Sequence, residues 1–526
     1  MKKHCIEIYD TTLRDGSQSE EIAYTVEDKL QIAQKLDRLG IHYIEAGWPG
    51  ANPRDSEFFQ RAKKELKLKN AKLVAFGSTR RSGLEADQDP ILGQLLESQT
   101  PVVCLFGKTW DLHVKEAIRT ELSENLEMIR DSMVFFKKKK RMVIFDAEHF
   151  FDGYKANPTY ALKCLMAATK GGADRLVLCD TNGGSLPWEI EKIVQVVKKK
   201  IRTPLGIHCH NDGGVAVANS LYAVRAGVCH VQGTINGIGE RCGNANICTI
   251  MGDLELKEGY ETIGPKKLKL LKDVSRFVDE LANRTSDTHQ PYVGRSAFAH
   301  KGGVHVQAIL KNSKTYEHVK PEMVGNVQRL LLSDLSGVAT VAAKLKEFGI
   351  RLDAKDPQVR TLLNTIKKME NDGYQFEGAE ASFELLVKKE LGLYKPHFVL
   401  HDFQVRDRIG DLPEGTPTSE ARVHLSVDGK EERSVAQGVG PVHAIDQAVR
   451  KALERFYPRL REIRLVDYKV RVLPAGDGTA SKVRVLIECR DENQKWNTLG
   501  VSPNIIHASY QALVDAIDYK LMMGIL

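Results

Sequence analysis

Two places in the chain combine residue types that can do polar chemistry at a useful spacing. The first is His208-Cys209-His210. Side chains on an extended strand alternate faces, so the two imidazoles point the same way and Cys209 points opposite. Two imidazoles one residue apart can take up one metal ion. The second is Arg14-Asp15, a guanidinium next to a carboxylate, in front of Gly16, where the apolar run Ile6-Glu7-Ile8-Tyr9 breaks off. Alone, the first pattern is more often a pair of surface or core histidines, and the second a turn ion pair. Brought together, they would make an open divalent site suited to Mg2+, Mn2+ or Zn2+. Such a site fits a chelating 2-oxo acid. The metal would polarise the carbonyl, and Arg14 would add a charge-assisted donor near the same oxygen.

What could bring residues 15 and 208 together is the arrangement of the elements around them. Apolar runs at 5–10, 43–47, 72–78, 102–107, 142–148, 175–181, 204–212 and 231–237 alternate with stretches of helical period. One such helix starts at Thr25, with Asp28 three residues on. It carries Leu30, Ala33, Leu36 and Leu39 on one face and stops at Gly40. Eight β-then-α units predict a (β/α)8 barrel of the α/β class. A doubly wound open sheet is the alternative, but it usually has fewer strands and needs no closure. In a barrel the C-terminal strand ends converge on one face. Strand one then delivers Arg14 and Asp15, and strand five Glu148. Strand six delivers Asp180, Thr181 and Asn182, and strand seven His208 and His210. The loop "NGIGERCGNAN" after strand eight delivers Glu240, Arg241 and Asn244. Closure makes strands one, eight and seven neighbours, so Asp15, His208, His210 and Asn244 can reach one point. The plainer readings are a turn cap for Asp180, an ion pair ordering the loop for Glu240-Arg241, and packing for Cys104, Cys179 and Cys209. Glu45 ends strand two and faces inward. His149 points away from the site.

At 526 residues the chain is too long for one core. Its 42% hydrophobic and 28% charged residues are ordinary for a soluble protein. No apolar run is long enough for a bilayer, and no signal-peptide region precedes the first strand. Nine scattered cysteines without CxxC pairs suggest free thiols and a cytoplasmic location. The net charge of +7 includes basic runs at 137–141 and 198–202, which read as solvated helix ends. Neither is interleaved with aromatics, so a nucleic acid partner is not expected, and without a bilayer-length apolar run neither is a membrane. An anionic substrate is compatible. The expected division is a catalytic barrel over 1–265, mostly helical linker subdomains over 266–393, and an α+β domain over 394–526 that pairs with itself or a partner subunit. Residues 410–420 read as a flexible loop.

Several ordered motifs make a family resemblance specific. "DTTLRDGSQS", "IEAGWP", "LCDTNGG", "GIHCHNDGGVAVANSLYAVRAGV", "TINGIGERCGN" and "KGGVHVQAI" resemble those of the 2-isopropylmalate, homocitrate and citramalate synthases. These are Claisen-condensing enzymes of the DRE-TIM metallolyase group. "GVGPVHAIDQAVRKAL" and "WNTLGVSPNIIHAS" resemble the family's regulatory, dimer-forming domain. The resemblance implies an acetyl-CoA-dependent acyltransferase acting as a homodimer. It implies Asp15, His208, His210 and Asn244 as metal ligands, Arg14 on the oxo-acid carbonyl and Thr181 on its carboxylate. Glu148, His305 and Tyr316 would enolise acetyl-CoA or relay protons. The strand-five sequence "FDAEHFFDGY" looks more like the citramalate branch, whose acceptor is pyruvate. Phe76, Leu105 and Asp146 are the candidate neighbours of the acceptor's methyl group. An isoleucine effector is expected on the C-terminal domain, with the turn Gly438-Val439-Gly440-Pro441 as its candidate site.

Overall fold

The computed structural model describes residues 5–333, 336–408, 418–473 and 480–524. Most of the expected loop at 410–420 lies outside them. The chain divides into two compact units, Met1–Phe298 with His318–Gln328, and Ala299–Glu317 with Arg329–Leu526. Among the described residues no helix is long and apolar enough to cross a membrane.

Eight parallel strands in the first unit close a barrel in chain order. They are β1 (Glu7–Asp10), β2 (Tyr43–Glu45), β3 (Lys72–Ser78), β4 (Val102–Lys108), β5 (Met142–Glu148), β6 (Arg175–Asp180), β7 (Leu205–Cys209) and β8 (His230–Gly233). β1 pairs with β8, the closure an open sheet lacks. Alternation sorts each strand into two faces. Ile8, Ile44, Val103, Phe145, Leu178 and Ile207 pack outward against the helices. Tyr9, Val74, Phe76, Cys104, Ile144 and Val177 fill the interior. The helix Val26–Leu39 has the expected Thr25 capping box, and Gly40 ends it at φ 95°. The two basic runs begin in the last turns of Leu122–Lys138 and Pro187–Lys200, where cations complement the helix dipole.

The N-terminal end of the barrel is plugged by charge. Glu7 accepts from Arg175 twice at 3.0 Å and lies 3.3 Å from both His230 Nδ1 and Tyr43 Oη. Burial opposes its charge, but His230 and Arg175 outweigh burial and hold the carboxyl well below its usual range. Arg175, His230 and Tyr43 are thus tied to Glu7 at the end of the barrel opposite the C-terminal strand ends.

The second unit has helices at Gly303–Lys311, Val338–Glu347, Pro357–Asn371 and Glu380–Glu390. Two repeats of three antiparallel strands and a helix follow. The strands are Val399–Asp407, Ser419–Val427 and Lys430–Gly438, then Arg464–Val472, Val483–Arg490 and Lys495–Ser502. The helices are Pro441–Leu453 and Ile505–Met522. The strands at 430–438 and 495–502 are absent from the sequence reading. "KEERSVAQG" is too polar to alternate clearly, but a turn signal precedes it. Asp428-Gly429, at φ 47° and 79°, forms a two-residue hairpin loop closed by Val427 opposite Lys430. Gly438 has a packing reason: a Cβ there would lie 2.5 Å from Ala444 N of the following helix. The turn before Pro441 is therefore first a close strand-to-helix junction.

Candidate active site

The chain winds tightly as β1 ends. Asp10 accepts from Thr12 N at 3.0 Å and Thr12 Oγ1 at 2.8 Å. The N–H groups of Arg14, Asp15 and Gly16 all donate to Thr11 O, at 3.2, 2.9 and 3.1 Å. Burial pushes Asp10 up to about 7, against the bonds from Thr12. This turn brings two adjacent charged side chains together at the strand ends, and they part in role. Arg14 Nε lies 2.5 Å from Glu45 Oε1, and its guanidinium carbon sits 3.8 Å above the centre of the Phe76 ring. Glu45 is fully buried and also accepts from Tyr9 Oη and, at 2.7 Å, Thr11 Oγ1. Both its oxygens are thus committed, and the result is a clamped guanidinium. Phe106 stacks on Phe76 at 5.4 Å, and Trp48 meets both rings edge-on.

Asp15 turns the other way. Its Oδ2 lies 3.3 Å from His208 Nε2 and 3.9 Å from His210 Nε2, and the two nitrogens are 3.4 Å apart. All three side chains are buried. Burial opposes the charge of Asp15, but Arg14, His208 and His210 hold the carboxyl well below its usual range. Burial and then His208 lower His210 to about 4, leaving a neutral imidazole. Burial also acts against a charged His208, but Asp15 outweighs it and raises that group. Asn244 joins His210 through an isolated backbone bridge. Its amide nitrogen donates to Ile238 O at 3.4 Å, and its buried Oδ1 has no hydrogen-bond partner among the described residues. An orphaned buried amide oxygen suits a hard cation. One carboxylate, two imidazoles and that oxygen are a donor set that fits a divalent metal.

Glu45, Cys104 and Asp146 also lie close enough together to share an ion. Glu45, however, is spent on Tyr9, Thr11 and Arg14. Asp146 accepts from Gln232 Nε2 at 3.0 Å and lies beside Cys104. Burial and the charge of Glu45 push Asp146 up to about 6. This cluster is a hydrogen-bonded interior.

Glu148, the last residue of β5, forms an ion pair with Lys108, the last residue of β4. Sequence reasoning missed Lys108, although the same alternation that turns Glu148 inward applies to it. Thr181 Oγ1 accepts from His149 N at 2.9 Å, and Thr181 O accepts from Arg241 at 2.7 Å. Arg241 is held chiefly by Asp212, at 2.8 and 2.9 Å, with Glu240 at 3.5 Å. The loop is therefore ordered by Arg241, but through Asp212 more than through its neighbour. Asp180 lies on the outward face, and its carboxylate accepts from Ser185 N at 3.3 Å, closing a turn. His149 adopts φ 53° and packs its ring 4.2 Å from that of His113.

One expected lining residue is corrected. Leu105 is fully buried in the outer layer, among the residues that face the helices. Alternation along β4 turns Cys104 and Phe106 inward, so Leu105 cannot meet a ligand in the barrel. Phe106 takes its place beside Phe76. His305 and Tyr316 belong to the second unit, where their rings stack 4.2 Å apart.

Residues 5–278 match the family described as HMGL-like. Residues 292–374 match the homocitrate synthase post-HMGL domain-like family, and 377–521 the LeuA allosteric (dimerisation) domain. The chain is 57% identical over 516 residues to an (R)-citramalate synthase of Geobacter sulfurreducens, covering 98% of this chain and 97% of the relative. An (R)-citramalate synthase of Aquifex aeolicus is 55% identical, with 98% and 97% covered. One from Synechocystis is 50% identical, with 99% and 97% covered. These matches span nearly the whole chain, from barrel through connecting segment to C-terminal repeats, and the chain belongs to the (R)-citramalate synthase family.

Proposed function

We propose that the protein condenses acetyl-CoA with pyruvate and water to give (R)-citramalate and free CoA, in isoleucine biosynthesis. The observation that carries this reading is the convergence of Asp15, His208 and His210 beside the clamped guanidinium of Arg14. Near full-length similarity to (R)-citramalate synthases supports it. Asp15, His208, His210 and Asn244 would hold the cation. A divalent metal bound there supplies Lewis-acid polarisation of the acceptor's carbonyl.

The remaining chemistry falls to the chain's own residues. Arg14 directs guanidinium N–H groups at the carbonyl oxygen, where negative charge develops as the new carbon–carbon bond forms. Thr181 receives the acceptor's carboxylate. Glu148 draws a proton from the acetyl methyl, a weak carbon acid that needs a positioned base. Lys108 holds Glu148 at the strand end until then. His305 and Tyr316 are assigned to proton relay on the strength of the family motif. The close rings of Phe76, Phe106 and Trp48 support a short acceptor side chain, since one extra methylene typically changes binding by about 1–3 kcal/mol.

CoA thiol release from acetyl-CoA, measured in parallel with pyruvate, 2-oxoisovalerate and 2-oxoglutarate, tests the acceptor. Pyruvate is expected to give the highest kcat/KM. A preference for 2-oxoisovalerate would make the protein a 2-isopropylmalate synthase. Residues 394–526 are read as the part that pairs two copies and senses isoleucine, supported by the match over 377–521. Millimolar isoleucine is expected to lower the same activity. If neither activity nor the thermal midpoint moves, that assignment fails.

A further inference from the structure

No sequence motif singles out Gln232. It lies on β8, fully buried, directly opposite His208 of β7 in the parallel ladder. Its Oε1 is 2.9 Å from His208 Nδ1, and its Nε2 is 3.0 Å from Asp146 Oδ1. Asp146 reaches it from β5, so three side chains on three strands form one chain through the barrel interior.

The order of donors in that chain follows from its ends. A carboxylate only accepts, so the amide nitrogen of Gln232 must face Asp146 and its oxygen must face His208. That oxygen also accepts, so His208 Nδ1 carries the hydrogen. A neutral imidazole protonated at Nδ1 has its lone pair at Nε2. His208 Nε2 is the atom facing Asp15 Oδ2 at 3.3 Å and His210 Nε2 at 3.4 Å. We infer that Gln232, itself fixed by Asp146, is a positioning residue that locks the tautomer and ring angle of His208 so that Nε2 is presented to the cation. The inference rests on the metal-site reading above. It also gives Asp146 a task other than lining the acceptor's pocket. Partners that orient a ligating imidazole typically carry about 10–100-fold in metal affinity.

The test uses the metal-stripped full-length protein, titrated with Mn2+ while free Mn2+ is read by electron paramagnetic resonance. Gln232→Met keeps the length of the side chain but removes both hydrogen bonds. It is expected to weaken Mn2+ binding about 10–100-fold. In the double variant Gln232→Glu/Asp146→Asn, the new carboxylate accepts from His208 on one side and from the new amide on the other. The donor order at His208 is restored, and most of the lost affinity should return. Parent-like binding by Gln232→Met would overturn the inference, and so would a double variant that binds no better than Gln232→Met. If Gln232→Met does not fold, Gln232→Glu alone serves as the reference. That variant still offers His208 an acceptor, because the facing pair shares a proton, so it should bind near the parent level, and binding as weak as that of His208→Ala overturns the inference. His208→Ala separates the two levels of the argument. Parent-like Mn2+ binding there removes the metal site itself, whereas weak binding there beside an unchanged Gln232→Met removes only the role of Gln232.

Discussion

Replacing Asp15 with asparagine is expected to weaken Mn2+ binding by more than about 100-fold, beyond what an outer partner of a ligand usually carries. Turnover should fall with it, and the fold should remain. The amide has the shape of the carboxylate but not its charge. In the parent, that charge lies 3.5 Å from Arg14 Nη1 and 3.3 Å from His208 Nε2. Without it, an incoming cation meets Arg14 across the site with no anion between them, and like charges in a poorly solvated place repel strongly. The backbone has little reason to move. Residues 14 to 16 are wound by N–H groups donating to Thr11 O, and Arg14 keeps its pairing with Glu45. Free Mn2+ measured during titration, CoA thiol release and far-UV circular dichroism read the three parts separately. Parent-like affinity with lost turnover would mean that Asp15 acts on substrate and not on the metal.

Much of this was legible before the structure, for a definite reason. Parallel barrel strands are bounded by turn residues and run at regular spacing, so eight could be counted, and closure then put residue 15 beside residues 208 and 210. Period-two alternation is as strong a guide, but it fails when started one residue off. Placing Leu105 inward is such a slip, and the structure turns Phe106 inward in its stead. Gln232 shows a different limit. Alternation from His230 turns it inward, but its task depends on Asp146 reaching it from across the barrel, and no local pattern encodes that. Glu45 is similar: its inward direction was readable, while its three partners at Tyr9, Thr11 and Arg14 were not. In the C-terminal repeats, the strand at 430–438 hid behind its charged residues although Asp428-Gly429 announced a hairpin.

Arg14→Lys is expected to lower turnover by about 100- to 1,000-fold, the scale of losing one donor to a developing oxyanion, while Mn2+ affinity stays near the parent value. Charge is conserved, so the long-range field at Asp15 changes little. Shape is not conserved. The guanidinium is held on two sides: its Nε edge by buried Glu45 and its plane by Phe76, which leaves the Nη edge, with Nη1 3.5 Å from Asp15 Oδ2, as the donor edge beside the site. A lysine ammonium is one compact group at the end of a flexible stem. If it stays with Glu45, nothing remains aimed at the carbonyl oxygen. If it leaves to meet that oxygen, Glu45 keeps a buried charge with only hydroxyl partners, a costly arrangement. Either choice forfeits one contact, and the turnover term carries the loss. This separates Arg14 from Asp15 by measurement: the asparagine variant should lose metal and turnover together, the lysine variant turnover alone. An Arg14→Lys protein that turns over near the parent rate would move the carbonyl donor elsewhere. One that loses Mn2+ as severely as Asp15→Asn would show that the guanidinium works by holding the ligand set, not by meeting the substrate.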